Sequence, residues 1–364
     1  MADDMSCILL TRTRDTIGHS AGITHVSFYA FDSLAFLSSS YDHTLKLYSS
    51  ETLQSSASFD LGSVVYSHAL SPIASHLLVA CATQHPAVRL VDLNSGASTH
   101  SLAGHGGAVL SVAWHPKNEH ILASAASDGS VRVWDIRRSA SSLGVLSMDD
   151  SIGLFGIDGL GADVRRRERG NSHAGPANGV LWTDSGDFLI STGHDERVRV
   201  WSATTGANTL VNFGPAIKNS HTSTLLPLVS PSQHTGPMKE LLFYPNPREL
   251  LVYELHTGKL INRLRTPSYS SLHTAVGAGS GTRNVLNRTT SLAWRPYNVE
   301  LFSAHTDGTI RCWRPQELQD TIESDDEDEE SNEREHVEAS ERKRKREELD
   351  DIVSSLTKRK VTFT

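Results

Sequence analysis

The feature that most constrains the fold is a short pattern that occurs four times along the chain. In each copy an Asp precedes a large aromatic residue by six positions, and apolar and polar residues alternate in front of the aromatic. The copies are Asp42 to Tyr48, Asp128 to Trp134, Asp195 to Trp201 and Asp307 to Trp313. Alternation over such short runs is typical of strands with one buried face. The repeat therefore predicts an all-β chain built from similar units.

Each copy belongs to a longer unit with two further strands. An apolar strand ending in an aromatic residue lies upstream, as in residues 112–114, and a third strand lies between, as in residues 121–125. A histidine stands ahead of three of the units, at His19, His105 and His173. This order predicts small antiparallel sheets joined by short turns.

The spacing of the copies leaves room for two weaker units. Asp42 and Asp128 are 86 residues apart, which is two periods of 43, and residues 88–92 read as the strand of a degenerate unit between them. The 112 residues from Asp195 to Asp307 hold a second weak unit with insertions. We therefore expect six units, four clear and two weak.

These units resemble the repeats of the WD-repeat β-propeller family, and the stretch from Gly104-His105 to Trp134-Asp135 is the fullest match. The resemblance implies an all-β propeller made of four-stranded blades around a central axis. The family has seven blades, whereas this chain has six recognisable ones. We expect residues 1–18 to form an N-terminal segment, residues 19–314 the propeller, and residues 315–364 a disordered charged C-terminal tail.

Family members stabilise each blade with a set of hydrogen-bonded side chains. In the third blade the resemblance assigns this structural network to His105, Ser124, Asp128 and Trp134. A buried indole N–H and a buried imidazole need hydrogen-bond partners, and the set supplies them. Tyr48 replaces Trp in the first blade, so the set is expected to be incomplete there.

Motifs for catalysis are weak in this chain. Residues 18–22 match G-x-S-x-G, the nucleophile elbow of hydrolases, with Ser20 as the nucleophile. The elbow needs an apolar strand before it and a helix after it, whereas here a polar stretch precedes Ser20 and a strand follows. A hydrolase that uses Ser20 is therefore a minor alternative to a non-catalytic protein.

Cofactor and metal motifs are also weak. The glycine-rich residues 277–281 lack the lysine of a phosphate-binding loop. Cys7, Cys81 and Cys312 are too far apart for a disulfide framework or a zinc site, and no two of the 18 histidines show the spacing of a helical metal site. We expect no catalytic residue, no metal and no cofactor.

One four-residue motif carries a functional implication. Trp134-Asp135-Ile136-Arg137 reads W-D-x-R, and Arg138 follows it. In WD-repeat substrate receptors of cullin 4 ubiquitin ligases this arginine docks on the adaptor, damaged-DNA-binding protein 1. The resemblance therefore implies that Trp134, Asp135, Arg137 and Arg138 bind the adaptor, because a planar guanidinium makes several hydrogen bonds at such an interface. A solvated basic residue after a strand is the alternative.

Longer segments are similar to the Cockayne syndrome group A family of these receptors. Residues 208–214, Asn-Thr-Leu-Val-Asn-Phe-Gly, carry most of the likeness, since the run is not part of the general WD pattern. The resemblance implies a non-catalytic substrate-recognition subunit of a cullin 4 RING ubiquitin ligase in transcription-coupled nucleotide excision repair. The implied partners are the adaptor, the cullin 4 ligase, a Cockayne syndrome group B-type ATPase and stalled RNA polymerase II. A nuclear scaffold or chromatin-binding propeller that works without cullin is the alternative.

The net charge of the chain is concentrated in its last fifty residues. Residues 315–364 carry 17 acidic and 9 basic side chains, so they account for the net charge of −8 of the whole chain. The neutral body argues against nucleic-acid binding by the propeller, which would require a basic excess. The acidic run 323–330 predicts disorder, and Ser324 within it is a candidate for phosphorylation.

A basic run follows the acidic one. It consists of Arg342, Lys343, Arg344, Lys345 and Arg346, and it resembles a nuclear-import signal. We therefore expect a nuclear protein, with a charged surface helix over residues 338–351 as the alternative. The chain has no stretch of about 18 apolar residues and no secretory signal, so we expect no membrane partner.

Overall fold

The computed structural model describes residues 2–5 and 18–315, apart from 74–75, 97, 139–141, 149–170, 221–224, 232, 236–237, 248, 266–287, 296–298 and 307. The predicted tail, which includes Ser324 and the basic run 342–346, therefore lies outside the described residues from residue 316 onward. The chain divides into two units, Ala2–Trp313 and a second one made of Met1 and Arg314–Thr364. All the strands below belong to the first unit.

The described residues form strands and turns, with no helix. The strands are β1 (Ala2–Met5), β2 (Ile23–Tyr29), β3 (Asp32–Ser40), β4 (Thr44–Ser49), β5 (Ser55–Asp60), β6 (Val65–Leu70), β7 (Leu78–Thr83), β8 (Ala87–Asp92), β9 (Ser98–Ala103), β10 (Val109–Trp114), β11 (Ile121–Ala126), β12 (Val131–Asp135), β13 (Ser142–Leu146), β14 (Ala177–Trp182), β15 (Phe188–Gly193), β16 (Arg197–Ser202), β17 (Leu228–Val229), β18 (Leu241–Pro245), β19 (Glu249–Glu254), β20 (Leu260–Arg265), β21 (Thr289–Arg295), β22 (Glu300–His305) and β23 (Ile310–Trp313). No helix in this part of the chain has the length and apolar character needed to cross a bilayer.

The strands form six antiparallel sheets, and the fold is a six-bladed β-propeller. Blades 1, 2 and 3 are β2–β5, β6–β9 and β10–β13; blade 4 is β14–β16, blade 5 is β17–β20, and blade 6 is β21–β23 with β1. Blades 1 to 4 consist of consecutive strands joined by short connections, because antiparallel pairing allows tight turns. The prediction of an all-β propeller with six recognisable blades is confirmed.

The N-terminal strand completes the last blade. β1 pairs antiparallel with β23, with Ala2 opposite Trp313 and Met5 opposite Ile310. The sequence predicted that residues 1–18 form a separate N-terminal segment. In the structure, Ala2–Met5 belong to blade 6 instead. The pairing supplies the hydrogen bonds that the edge of β23 would otherwise leave open.

Five apolar clusters fill the five interfaces between consecutive blades. Between blades 2 and 3, for example, Val88 and Leu90 pack against Trp114. Indole N–H groups add hydrogen bonds across these interfaces, since Trp114 Nε1 donates to the carbonyl oxygen of Ala69 at 2.9 Å. Trp182 Nε1 donates in the same way to the carbonyl oxygen of Ala113 at 3.2 Å, so these two strand-ending tryptophans each connect a blade to the blade before it.

The contact between blade 6 and blade 1 differs from the other five. Val26 and Phe28, on the first strand of blade 1, are 51% and 65% exposed. Among the described residues, no buried apolar cluster joins these two blades. The apolar stabilisation of the ring is thus concentrated in the other five interfaces.

Among the residues that the structure describes, blade 4 has three strands instead of four. After β16 the chain makes one bridge back to that strand, between Trp201 and Asn208, and then turns away. The turn occurs at Leu210, whose φ of +60° lies in the left-handed region that disfavours a residue with a Cβ. Phe213 is then buried against Tyr253 of blade 5, with 5.4 Å between the ring centroids.

Candidate functional site

The polar network of blade 4 shows how the repeated residues are used. The Trp201 indole N–H donates to Ser191 Oγ at 2.9 Å, and Ser191 Oγ lies 2.8 Å from His173 Nε2. On the other side of the imidazole, His173 Nδ1 donates to the Asp195 carboxylate at 2.9 Å. These four side chains come from two strands, the turn between them and the blade entry, so the network fixes these parts of the blade relative to each other.

The network of blade 3 has an additional member that the sequence did not indicate. His105 Nε2 lies 2.6 Å from Ser124 Oγ, which also accepts the Trp134 indole N–H at 2.7 Å. His105 Nδ1 is 3.8 Å from the Asp128 carboxylate, too far for a hydrogen bond. Ser130 bridges them, because His105 Nδ1 donates to Ser130 Oγ at 2.8 Å and Ser130 donates to Asp128 at 2.7 Å.

Two other blades complete their networks with substitutes. In blade 1 the side chain of Tyr48 hydrogen-bonds to Ser38, which is also 2.6 Å from His19 Nε2, so tyrosine takes the place of tryptophan. In blade 6 the imidazole comes from His305 on β22, whose Nε2 lies 2.9 Å from Ser303 Oγ. The sequence search looked for a histidine at the blade entry and therefore missed His305.

Burial separates these His–Ser–Asp sets from catalytic triads. Ser124 and Ser191 are completely buried, and each hydroxyl oxygen accepts a tryptophan N–H, so neither is accessible to a substrate. Burial lowers the pKa of His173, which outweighs the opposing effect of the Asp195 carboxylate. Burial alone would raise the pKa of Asp195, but hydrogen bonds and charges from His173 and Arg199 hold it well below its usual range. The sets therefore stabilise the blades.

The other chemical candidates also have structural surroundings. Ser20 is exposed, its backbone N–H donates to Asp42 at 3.0 Å, and a strand follows it where a nucleophile elbow requires a helix. Among the described residues, no group of three or more His, Cys, Asp or Glu side chains is arranged to hold a metal ion. Cys81 is buried, and this burial raises the pKa of its thiol to about 12.

The four residues predicted to bind an adaptor lie at the end of β12 and in the following turn. Trp134 is completely buried and Asp135 is 5% exposed, so neither presents a side chain to a partner. The Arg137 side chain is exposed and forms a two-point ion pair with Asp135, with Nε–Oδ1 at 3.0 Å and Nη2–Oδ2 at 2.8 Å. Arg138 is exposed as well. The expectation that all four contact an adaptor is therefore corrected for Trp134 and Asp135.

A cavity of about 180 Å³ is lined by residues from several blades. Tyr41 of blade 1 and Tyr66 of blade 2 meet there edge to face, with 6.3 Å between the ring centroids. Lys218, Arg288 and Thr289 line other parts of its wall. Because residues from blades 1, 2, 5 and 6 reach the same cavity, it lies on the central axis, and we call it the channel mouth.

One polar atom at the channel mouth has no partner in the protein. Thr289 is 3% exposed, and its hydroxyl makes no hydrogen bond within the part of the chain that the structure describes. A buried hydroxyl without a partner is uncommon in folded proteins and marks a position where a ligand group can bind. Lys218, which lines the cavity, forms an ion pair with Glu196 at 2.9 Å.

Comparison with known proteins supports the repeat assignment. The family model "WD domain, G-beta repeat" matches residues 10–49, 96–135, 167–202 and 280–314. These ranges contain the Asp-to-aromatic strands β4, β12, β16 and β23 of blades 1, 3, 4 and 6, which are the four units that the sequence pattern identified as clear. The two weak units, blades 2 and 5, are blades in the structure although the model does not match their central strands.

The chain is similar to several curated proteins. It is 26% identical to "WD repeat-containing protein ATCSA-1" of Arabidopsis thaliana over 85% of this chain and 75% of that protein. It is 31% identical to "Ribosome biogenesis protein ytm1" of Pyrenophora tritici-repentis over 50% of this chain and 39% of the relative. It is 34% identical to "Ribosome biogenesis protein WDR12 homolog" of Chlamydomonas reinhardtii over 49% of this chain and 40% of the relative. The chain thus spans about two fifths of these ribosome biogenesis proteins.

These names correct the functional prediction. The relatives whose names state a process are ribosome biogenesis proteins, which contradicts a substrate receptor of a cullin 4 ubiquitin ligase in excision repair. The predicted partners are overturned with it: damaged-DNA-binding protein 1, the cullin 4 ligase, the group B-type ATPase and stalled RNA polymerase II. The sequence reasoning relied on W-D-x-R and residues 208–214, and both of these have structural roles within blades 3 and 4.

The repeat pattern, the six blades and the matched segments agree with one another, and this chain carries WD40 repeats in a six-bladed β-propeller.

Proposed function

We propose that this protein is a non-catalytic WD40 scaffold that acts in ribosome biogenesis. The observation that carries the proposal is the similarity of half of the chain to proteins named for that process, at 28–34% identity. A propeller without an accessible catalytic set contributes by holding other macromolecules in place. The proposed localisation is nuclear, with the basic run 342–346 as its import signal.

The channel mouth is the proposed contact site for an assembly partner. Two tyrosines supply apolar area with polar ends, and such residues are enriched where proteins bind each other. Arg288 supplies positive charge, and the Thr289 hydroxyl has no hydrogen-bond partner among the described residues. This combination suits an extended acidic segment of a protein.

Two measurements on the tagged full chain test the proposal, namely affinity purification and sedimentation of the cell lysate. We expect the wild-type chain to sediment with ribosomal precursor particles. For the double variant Tyr66→Ala, Arg288→Glu we expect the ratio of particle-bound to free protein to be at least about tenfold lower. Arg265→Glu, at the exposed end of β20, is the matched charge control and should behave as wild type. A wild-type chain recovered without ribosomal precursors would contradict the process, and equal recovery of the double variant would contradict the site.

A further inference from the structure

Blade 4 has an open outer edge, and a second docking surface follows from it. In the other five sheets a fourth strand covers the third one, as β13 covers β12 over residues 131–134. In blade 4 the single bridge between Trp201 and Asn208 replaces that strand. We refer to β16 and the segment 208–214 beside it as the blade 4 edge.

The hydrogen bonds at the bridge show which backbone groups face outward. The Thr209 N–H donates to the Val200 carbonyl and the Ser202 N–H donates to the Ala207 carbonyl, both at 2.9 Å. Because alternate residues of a strand point their backbone groups to the same side, Val198 faces outward as Val200 does. Within the described residues, neither amide N–H of this pair has an acceptor.

The segment 208–214 leaves space beside these groups. The left-handed conformation of Leu210 turns the chain away from β16, and a cavity of about 170 Å³ lies between them, lined by Val198, Val211 and Phe213 among others. Leu210 itself is 66% exposed. The edge therefore combines unpaired backbone groups with apolar side chains, which is the arrangement that binds an added strand.

Charge at the edge indicates the character of the added strand. Glu196 pairs with Lys218 and Asp195 pairs with Arg199, both within 2.9 Å. Arg197 is exposed, and the hydrogen bond of its guanidinium goes to the neutral amide oxygen of Asn212 at 3.5 Å. One positive charge at the edge is thus not balanced by these acids, and an acidic residue of a partner would complement it.

We propose that the blade 4 edge binds an extended segment of a partner protein as its fourth strand. The segment pairs with the backbone of Val198 and with the N–H of Val200, places an acidic residue against Arg197, and covers Leu210 and Val211 with apolar side chains. This surface lies on the outer edge of one blade, whereas the channel mouth lies on the axis. A negative binding result at one of these two sites therefore does not decide whether the other site binds a partner.

A fluorescein-labelled peptide tests this on the full chain. The probe is ten residues of alternating threonine and valine with one central glutamate, and the matched probe has a proline in place of a central valine. We expect the first probe to bind, by fluorescence anisotropy, and the proline probe to bind at least about tenfold more weakly, because proline cannot donate to the ladder. Arg197→Glu should weaken the first probe about tenfold, and Arg265→Glu should not.

Hydrogen–deuterium exchange gives the second measurement. The amides of Val198 and Val200 should exchange rapidly in the free chain and become protected when the first probe is bound. Equal binding of both probes, no binding of either, or binding that Arg197→Glu leaves unchanged would overturn the proposal. Protection of both amides in the free chain would overturn it too, since a segment of this chain would then already occupy the edge.

Discussion

The Ser191 hydroxyl is the centre of the blade 4 network, and its removal is the most direct test of the structural role of these sets. Ser191→Ala leaves the Trp201 indole N–H and the His173 Nε2 atom without their partner. All three residues are at most 1% exposed, so water does not replace the lost hydroxyl. Leaving a buried polar group unsatisfied costs about 1–3 kcal/mol, and two groups are affected here. We expect the free energy of unfolding to fall by about 2–5 kcal/mol.

Urea unfolding monitored by tryptophan fluorescence and circular dichroism measures this loss. Ser202→Ala is the matched control, because its hydroxyl bonds to Thr204 Oγ1 at 2.9 Å in an exposed position, and it should change stability by less than about 0.5 kcal/mol. A double-mutant cycle with Trp201→Phe isolates the indole bond. Because phenylalanine removes the orphaned donor, Ser191→Ala should cost about 1 kcal/mol less in that background. If Ser191→Ala is no more destabilising than Ser202→Ala, or if the two changes are additive, the reasoning about the network is wrong.

Two further predictions concern a turn and the pH dependence of stability. Gly129 and Gly308 both have φ near +80°, but an added Cβ would lie 2.5 Å from the His173 carbonyl oxygen at Gly129 and meet nothing within 4 Å at Gly308. Gly308→Ala should therefore lower the free energy of unfolding by about 1 kcal/mol through backbone strain, and Gly129→Ala should lower it by about 1–3 kcal/mol more. Urea unfolding measures both, and equal losses for the two variants would contradict the steric argument. Burial lowers the pKa of His25, and it lowers the pKa of His68 to well below its usual value. The folded chain therefore binds fewer protons than the unfolded chain below about pH 6.5. Stability should therefore fall by up to about 1.4 kcal/mol per pH unit for each such histidine as the pH drops below that value, and a thermal midpoint unchanged between pH 7 and 5.5 would contradict this.

Several features of this fold were predictable from the sequence because they are encoded locally. A strand with one buried face must alternate apolar and polar residues, so the four Asp-to-aromatic copies and their 43-residue period predict blades before any contact is known. The roles of Ser124 and Trp134 follow in the same way, since a buried indole needs an acceptor close by. Even the two weak blades could be placed, because the spacing of the clear ones left room for them.

The W-D-x-R motif shows where local patterns stop being informative. A pattern of four residues specifies the end of a strand, and the structure accounts for it as two buried residues and an ion pair between Asp135 and Arg137. Nothing in the motif specifies which partner an exposed arginine meets. The functional prediction that was built on the motif was therefore wrong, while the strand prediction was right.

The sequence by itself determined the all-β class and the six recognisable blades, four of them clear and two weak. Only the tertiary structure decided that Ala2–Met5 pair with Ile310–Trp313, that His305 replaces an entry histidine, and that the described residues give blade 4 three strands. The physical reason is that alternation depends on neighbours within one strand, whereas pairing and side-chain hydrogen bonds depend on groups that are distant in the chain and adjacent only after folding.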